Sequence, residues 1–141
     1  MTFIEDYTRM RRVYLLENKF DSFQTFKNFH IWIENDTQSH IGSILTDNRK
    51  EYTSNDFENY LHQHGIKHQT VVPYNTQNNG VAERMNRTIL NMVRSMMFFR
   101  NVKLMFWDDA ILCAIYVKNI CPSNAIINKT PYEMWYGQFL R

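Results

Sequence analysis

Residues 71–86 read VVPYNTQNNGVAERMN and lead from a short apolar run, through a polar loop, into a long helix. The apolar run predicts a buried strand that ends at Pro73, because proline lacks the backbone N–H that a sheet requires. Glu83 is the one acidic residue of this stretch, and the pattern places it one turn inside the helix. Asp47 ends a second apolar run, ILTDN, and 35 residues separate it from Glu83. A carboxylate at a strand end and another on a helix often bind a divalent metal together, because Mg²⁺ prefers oxygen ligands.

The segments upstream of Asp47 predict strands and a helix. Residues 2–7 and 12–16 are rich in β-branched and aromatic side chains, so we expect an antiparallel hairpin. Between residues 21 and 33 the phenylalanines recur every three to four positions. This spacing predicts a helix with one aromatic face, capped by Asp21 or Ser22. Residues 41–45 predict the strand that leads to Asp47.

The segments downstream of Asp47 continue the alternation. Residues 54–65, SNDFENYLHQHG, predict a helix that ends at its glycine. Residues 67–72 predict the next strand, and residues 74–79 a polar, mobile loop. Three further helices are predicted over residues 80–98, 107–120 and 130–135. This order of elements is typical of an α/β fold.

The helix predicted over residues 80–98 has two chemically different faces. Its buried face consists of apolar residues: Met85, Ile89, Met92, Val93 and Met96. Its exposed face carries Glu83, Arg87, Asn91 and Arg94 at spacings of four, four and three. Because Glu83 and Arg87 are four residues apart, they are also compatible with a simple ion pair on a solvated helix face.

The two acids and the histidines also have structural interpretations. Aspartate and asparagine are common turn residues, which would explain Asp47, and the helix dipole favours an acid such as Glu83 near a helix start. A zinc site requires four Cys or His ligands at set intervals. We therefore assign His62, His64 and His68 to a helix end and a strand start. We assign the Glu5-Asp6 pair to structural hydrogen bonding.

Composition limits the protein class. A chain of 141 residues has the length of one domain, and its 44% hydrophobic and 15% aromatic residues are enough for a folded core. The net charge of +2 does not by itself indicate a nucleic-acid binder. Neither a signal peptide nor a membrane span is expected, which predicts an intracellular protein that is not secreted. Cys113 and Cys121 lie eight residues apart and are expected to be buried thiols.

Several motifs together resemble one known family. ILTDN, HGIKHQTVVPYNTQNNGVAERMNRT, FWDDAILCAIYVKNICPSNA and NKTPYEMWYG are similar to the integrase catalytic core of Copia-type LTR retrotransposons, a group related to retroviral integrases. The resemblance runs over essentially the whole chain and is most specific in PYNTQNNGVAERMNRT and KTPYEMWYG. It implies a ribonuclease-H-like fold, a mixed sheet of five strands with helices on both faces.

The resemblance also implies a site and its partners. The catalytic acids of the family are Asp, Asp and Glu, with 35 residues between the last two, which matches Asp47 and Glu83. In the family these acids hold two Mg²⁺ or Mn²⁺ ions that serve DNA 3′ processing and strand transfer. Family members act as homo-oligomers on the element ends and on target DNA. The residues implied to contact DNA are Asn75, Gln77, Asn78, Asn79, Arg84, Arg87 and Arg94.

Two departures from the family pattern bear on activity. The first Asp of the family lies on a central strand that would precede residue 1. We therefore expect residues 1–141 to be a partial core domain that is inactive alone. Because the neighbouring strands would lack a pairing partner, we also expect its thermal unfolding to be broad. Arg49 and Lys50 replace the small residues that usually follow the second acid. Two other interpretations are a non-catalytic DNA-binding or dimerisation module from a decayed or co-opted element, and a ribonuclease-H-like polynucleotide hydrolase.

Overall fold

The computed structural model describes residues 1–47, 52, 54–70 and 76–137, with the backbone alone at 76–79 and 81. Within these residues the strands are Thr2–Ile4 (β1), Arg11–Val13 (β2), Ser43–Thr46 (β3) and Lys67–Thr70 (β4). The α-helices are Ser22–Thr37 (α1), Asn55–Gln63 (α2), Thr76–Phe99 (α3), Trp107–Ile120 (α4) and Pro131–Tyr136 (α5). The chain divides into two compact units: a first unit of Met1–Leu15 with Val81–Arg141, and a second unit of Leu16–Gly80.

The predicted N-terminal hairpin is confirmed. β1 and β2 pair antiparallel, with Thr2 opposite Val13. The Glu5 carboxylate holds the connecting turn, because it accepts hydrogen bonds from the backbone N–H of Tyr7 at 3.0 Å and of Thr8 at 2.6 Å. Burial raises the pKa of Glu5, but the hydrogen bonds from Thr8 and Tyr7 outweigh it and hold the pKa below its usual range. Glu5 therefore has the structural role expected from the sequence.

The hairpin is joined to α4 through a buried side-chain amide. Asn119 is 5% exposed, and its Oδ1 accepts a hydrogen bond from the backbone N–H of Arg11 at 3.0 Å. Its Nδ2 donates to the backbone carbonyl of Arg11 at 2.8 Å. One side chain thus satisfies both backbone groups of a β2 residue, as a neighbouring strand would.

The core of the first unit lies between α3 and α4 and confirms the predicted apolar face of α3. Ile89 and Val93 of α3 and Ala114 and Ile115 of α4 are buried there, and Met85, Met92 and Met96 pack around them. The prediction of buried cysteines was wrong, because Cys113 and Cys121 are both exposed. Each residue turns a helix by about 100°. Cys113 therefore points away from the core that its neighbour Ala114 enters, and Cys121 stands at the end of α4.

The second unit has an aromatic core between α1 and α2. Phe26 and Phe29 of α1 and Phe57 and Leu61 of α2 are buried, and the rings of Phe26 and Phe57 lie 5.2 Å apart. The spacing of phenylalanines therefore predicted the correct face of α1, although the helix continues to Thr37, beyond the predicted residue 33. Asp21 occupies the N-cap position of α1, as predicted, but its side chain makes no capping hydrogen bond to this helix.

The predicted start and end of α2 are confirmed. The hydroxyl of Ser54 accepts a hydrogen bond from the backbone N–H of Phe57 at 3.3 Å, which caps the helix. Gly65 follows with a φ of 67°, a left-handed conformation that favours glycine and ends the helix.

β3 and β4 form a parallel pair in the second unit. Their register places Ser43 beside Lys67 and Thr46 beside Thr70. The sheets of the described residues are therefore two separate pairs, one antiparallel and one parallel. Along the same residues, no helix combines the length and the apolar character needed to cross a bilayer.

Candidate functional site

Asp47 follows directly on the last residue of β3. The run Ser43–Thr46 is rich in β-branched side chains and pairs with β4. Backbone pairing therefore fixes the chain up to Thr46, the residue before Asp47. The carboxyl ends of two parallel strands lie at the same edge of a sheet, an edge where α/β proteins commonly place ligand-binding groups. Asp47 is half-buried there, and its Oδ1 atom is shielded from solvent.

A hydrogen-bonded chain of three polar side chains reaches Thr46, the residue before Asp47, and sequence reasoning did not connect them. The Nε2 atom of His68 on β4 lies 2.8 Å from the hydroxyl oxygen of Thr46. The Nδ1 atom of the same ring lies 2.6 Å from Oε1 of Glu58 on α2. The sequence carried one signal of this cluster: His68 falls on the strand predicted over residues 67–72, and Thr46 lies between the strand predicted over residues 41–45 and Asp47.

Glu83 lies on α3 and is exposed. The helix begins at Thr76, four residues before the predicted start at Gly80, so Glu83 lies about two turns inside it and not one. The predicted mobile loop over residues 74–79 is therefore wrong at 76–79, where the backbone is helical. A glycine inside a helix costs about 1 kcal/mol, which the packing of a 24-residue helix can outweigh.

The structure describes the side chains of only some of the residues predicted to contact DNA. Arg84, Arg87 and Arg94 are exposed on α3, as is Asn91, so the predicted solvated face of this helix is confirmed. Gln77, Asn78 and Asn79 lie in the first turn of α3, where only the backbone is described. Arg49, Lys50 and Asn75 lie outside the described residues.

Asp47 and Glu83 offer carboxylate oxygens, the ligand type that suits Mg²⁺ and Mn²⁺. Asp47 belongs to the second unit and Glu83 to the first, and each unit is described by itself. Their convergence on a shared metal therefore stays a prediction. In the part of the chain that the structure describes, no three His, Cys, Asp or Glu side chains form a group able to hold a metal ion.

The three histidines singled out in the sequence have separate environments. His68 bridges Thr46 and Glu58, as described above. The ring of His64 lies 4.1 Å from the ring of Tyr60 and 5.0 Å from that of His30. His62 is exposed in the last turn of α2. His62 and His64 thus stand at a helix end and His68 on a strand, the placements expected from the sequence.

The sequence matches known proteins of one kind. Residues 1–76 match the integrase core domain family. The retrovirus-related Pol polyprotein from transposon TNT 1-94 of Nicotiana tabacum is 42% identical over 135 residues, which cover 96% of this chain and 10% of that protein. The corresponding polyprotein from transposon RE2 of Arabidopsis thaliana is 32% identical over 136 residues, which cover 96% of this chain and 9% of that protein. The chain thus spans about a tenth of the length of these relatives.

Solved retroviral integrases have the same fold. An HTLV-2 integrase catalytic core domain in complex with magnesium, in trimeric form, superposes with a TM-score of 0.70 at 21% identity, covering 96% of this chain and 82% of that one. A chain of the simian T-cell lymphotropic virus intasome, solved with PP2A regulatory subunit B56 gamma, superposes with a TM-score of 0.75 at 18% identity. This match covers 99% of the present chain and 49% of the intasome chain. The predicted ribonuclease-H-like α/β fold is therefore confirmed.

Proposed function

The chain belongs to the integrase core domain family, and from this premise we propose that it serves DNA integration as part of the catalytic core of a Copia-type retrotransposon integrase. The observation that carries the proposal is the placement of Asp47 directly after a parallel strand, with Glu83 exposed on α3. The family resemblance implies carboxylates for polynucleotidyl transfer at these two positions. Residues 1–141 would then form part of one such core domain.

Asp47 and Glu83 are the proposed metal ligands. Bound Mg²⁺ or Mn²⁺ would stabilise the attacking and leaving oxygens of a displacement at a DNA phosphodiester. A related solved core contains magnesium, which supports this choice of ion. Asp47 directly follows the paired strand β3, while Glu83 is exposed on the 24-residue helix α3.

The exposed face of α3 is the proposed DNA-binding surface. Arg84, Arg87 and Arg94 lie on exposed turns of this helix, and arginine binds phosphate oxygens with two parallel hydrogen bonds. Contacts of this kind position a protein on DNA without reading its sequence. The same face supports binding even where catalysis is lost, as in the non-catalytic interpretation.

Self-association is a further part of the proposal. The HTLV-2 core domains have been solved in dimeric and trimeric forms. In this chain α4 exposes two large apolar side chains, Leu112 at 49% and Tyr116 at 57%. Apolar side chains of this size are commonly buried when subunits associate.

A salt titration of DNA binding tests the proposed surface. We expect the chain to bind a labelled DNA duplex at low salt, with the logarithm of the affinity falling linearly as the logarithm of salt concentration rises. Arg87→Ala and Arg94→Ala should each reduce this slope by about one, because each removes one phosphate contact. Fluorescence anisotropy measures both quantities.

Lys129→Ala is the matched control for this titration. Lys129 is also exposed in the first unit but lies before α5 and not on α3, so its loss should leave the slope unchanged. Absence of measurable binding at low salt would contradict the proposed DNA partner. An equal effect of all three substitutions would contradict the assignment of α3 as the binding face.

A further inference from the structure

The imidazole of His68 joins three elements of the second unit. On one side its Nε2 lies 2.8 Å from the hydroxyl of Thr46 at the end of β3. On the other side its Nδ1 lies 2.6 Å from Oε1 of Glu58 on α2. The ring also packs edge-on against the buried ring of Phe57, at 5.6 Å between centroids and 71° between planes. Only 8% of the His68 side chain is exposed, so the ring is largely enclosed by its neighbours.

The chemistry of the partners sets the direction of these hydrogen bonds. An ionised carboxylate can only accept, so Nδ1 of His68 donates to Glu58. In the neutral ring Nε2 then carries a lone pair and accepts from the hydroxyl of Thr46. Glu58 thus orients the ring, and the hydroxyl of Thr46, which can donate or accept, completes the second hydrogen bond. The three side chains form a directed chain from α2 through β4 to β3.

The end point of this chain is adjacent to the proposed metal ligand. Thr46 is the last residue of β3, and Asp47 follows it by one peptide bond. Backbone pairing holds Thr46 beside Thr70 of β4, but pairing alone leaves the end of a short strand free to fray. The hydrogen bond between the Thr46 hydroxyl and His68 restrains the end of the strand. Because Asp47 is the next residue, this restraint also limits the directions that the Asp47 side chain can take.

We propose that Glu58, His68 and Thr46 are positioning residues that hold the Asp47 carboxylate in the orientation needed for metal binding. This inference rests on the proposed function, because it requires Asp47 to be a ligand. None of the three residues contacts the metal in the proposal. They act through the backbone of β3, in the way that hydrogen bonds behind a metal ligand commonly raise metal affinity.

Binding of Mn²⁺ to the full chain, followed by the EPR signal of the free ion, separates positioning from simple stabilisation. Thr46→Val keeps the shape of the side chain but removes its hydroxyl, and should weaken Mn²⁺ binding about tenfold. Thr46→Ser retains the hydroxyl and should bind as the wild type does. Thr70→Val is the matched control, since it removes a hydroxyl from the last residue of β4 beside Thr46. It should leave the affinity unchanged.

Thermal melting of the same variants gives the second readout. A purely structural role for the chain predicts a lower melting temperature for Thr46→Val with unchanged Mn²⁺ affinity, and this result would overturn the proposal. If Thr46→Val does not fold, Glu58→Ala decides, because Glu58 is 49% exposed and tolerates truncation. It should weaken Mn²⁺ binding while Glu58→Gln, which still accepts a hydrogen bond, retains it; wild-type affinity in Glu58→Ala would reject the proposal.

Asp47→Asn shows which proposal has failed. If Asp47→Asn loses Mn²⁺ binding while Thr46→Val and Glu58→Ala retain it, Asp47 is a ligand and the positioning role is wrong. If Asp47→Asn binds Mn²⁺ with wild-type affinity, Asp47 is not a ligand, and both the metal assignment and the positioning role that depends on it are wrong.

Discussion

Asn119 is a single residue whose side chain completes the edge of a strand. Its amide satisfies both backbone groups of Arg11 inside the core, so Asn119→Ala leaves a buried N–H and a buried carbonyl without partners. We expect a loss of about 2 kcal/mol in the free energy of unfolding, measured by urea denaturation. Asn91→Ala, an exposed site on α3, should change it by less than about 0.5 kcal/mol. Equal stability of the two variants would contradict this account of Asn119.

Residues differed in how far the sequence could predict them. Asp47 and Glu83 could be chosen because spacing and surrounding motifs are properties of the chain itself. The link from Glu58 through His68 to Thr46 could not, since it joins three elements whose packing is set by the tertiary fold. The exposure of Cys113 was missed because cysteine is usually buried, whereas its position on α4 decided otherwise.

The turn of the hairpin is an element whose stability should depend on pH. The pKa of Glu5 in the folded chain lies below its usual value of 4.5. The ionised carboxylate therefore stabilises the fold fully above about pH 4.5, and this contribution is lost as the pH falls through the folded pKa. Unfolding free energies measured between pH 3 and 7 should show less acid destabilisation in Glu5→Gln than in the wild type. Identical pH profiles would contradict the role assigned to this turn.

Helices and strands were predictable to the extent that their signals are local. The apolar spacing of α1 and α3 identified their buried faces, and the helix predicted over residues 130–135 is close to the observed α5, which starts with a proline. There Thr130 accepts from the backbone N–H of Glu133 at 3.1 Å, and Glu133 accepts from that of Thr130 at 2.8 Å. The start of α3 was misplaced because Asn, Gln and Gly suggest a loop. Packing of Ile89 and Val93 further along stabilises the whole helix.

The sheets of the whole molecule predict its unfolding behaviour. The strands of the described residues form two separate pairs, and a two-stranded sheet has little stability of its own. We therefore expect broad melting, with a van't Hoff enthalpy well below the calorimetric enthalpy in differential scanning calorimetry. A sharp transition in which the two enthalpies agree would contradict this expectation.

The central claim concerns the molecule as a whole, because the proposed function requires both Asp47 and Glu83 as metal ligands. Mn²⁺ titration of the wild type, Asp47→Asn, Glu83→Gln and the double variant, followed by the EPR signal of free Mn²⁺, tests it most directly. For a shared site, each single substitution should weaken binding about tenfold or more, and the double variant should lose little beyond the larger single loss. Wild-type affinity in either single variant, or losses that simply add in the double variant, would contradict the account.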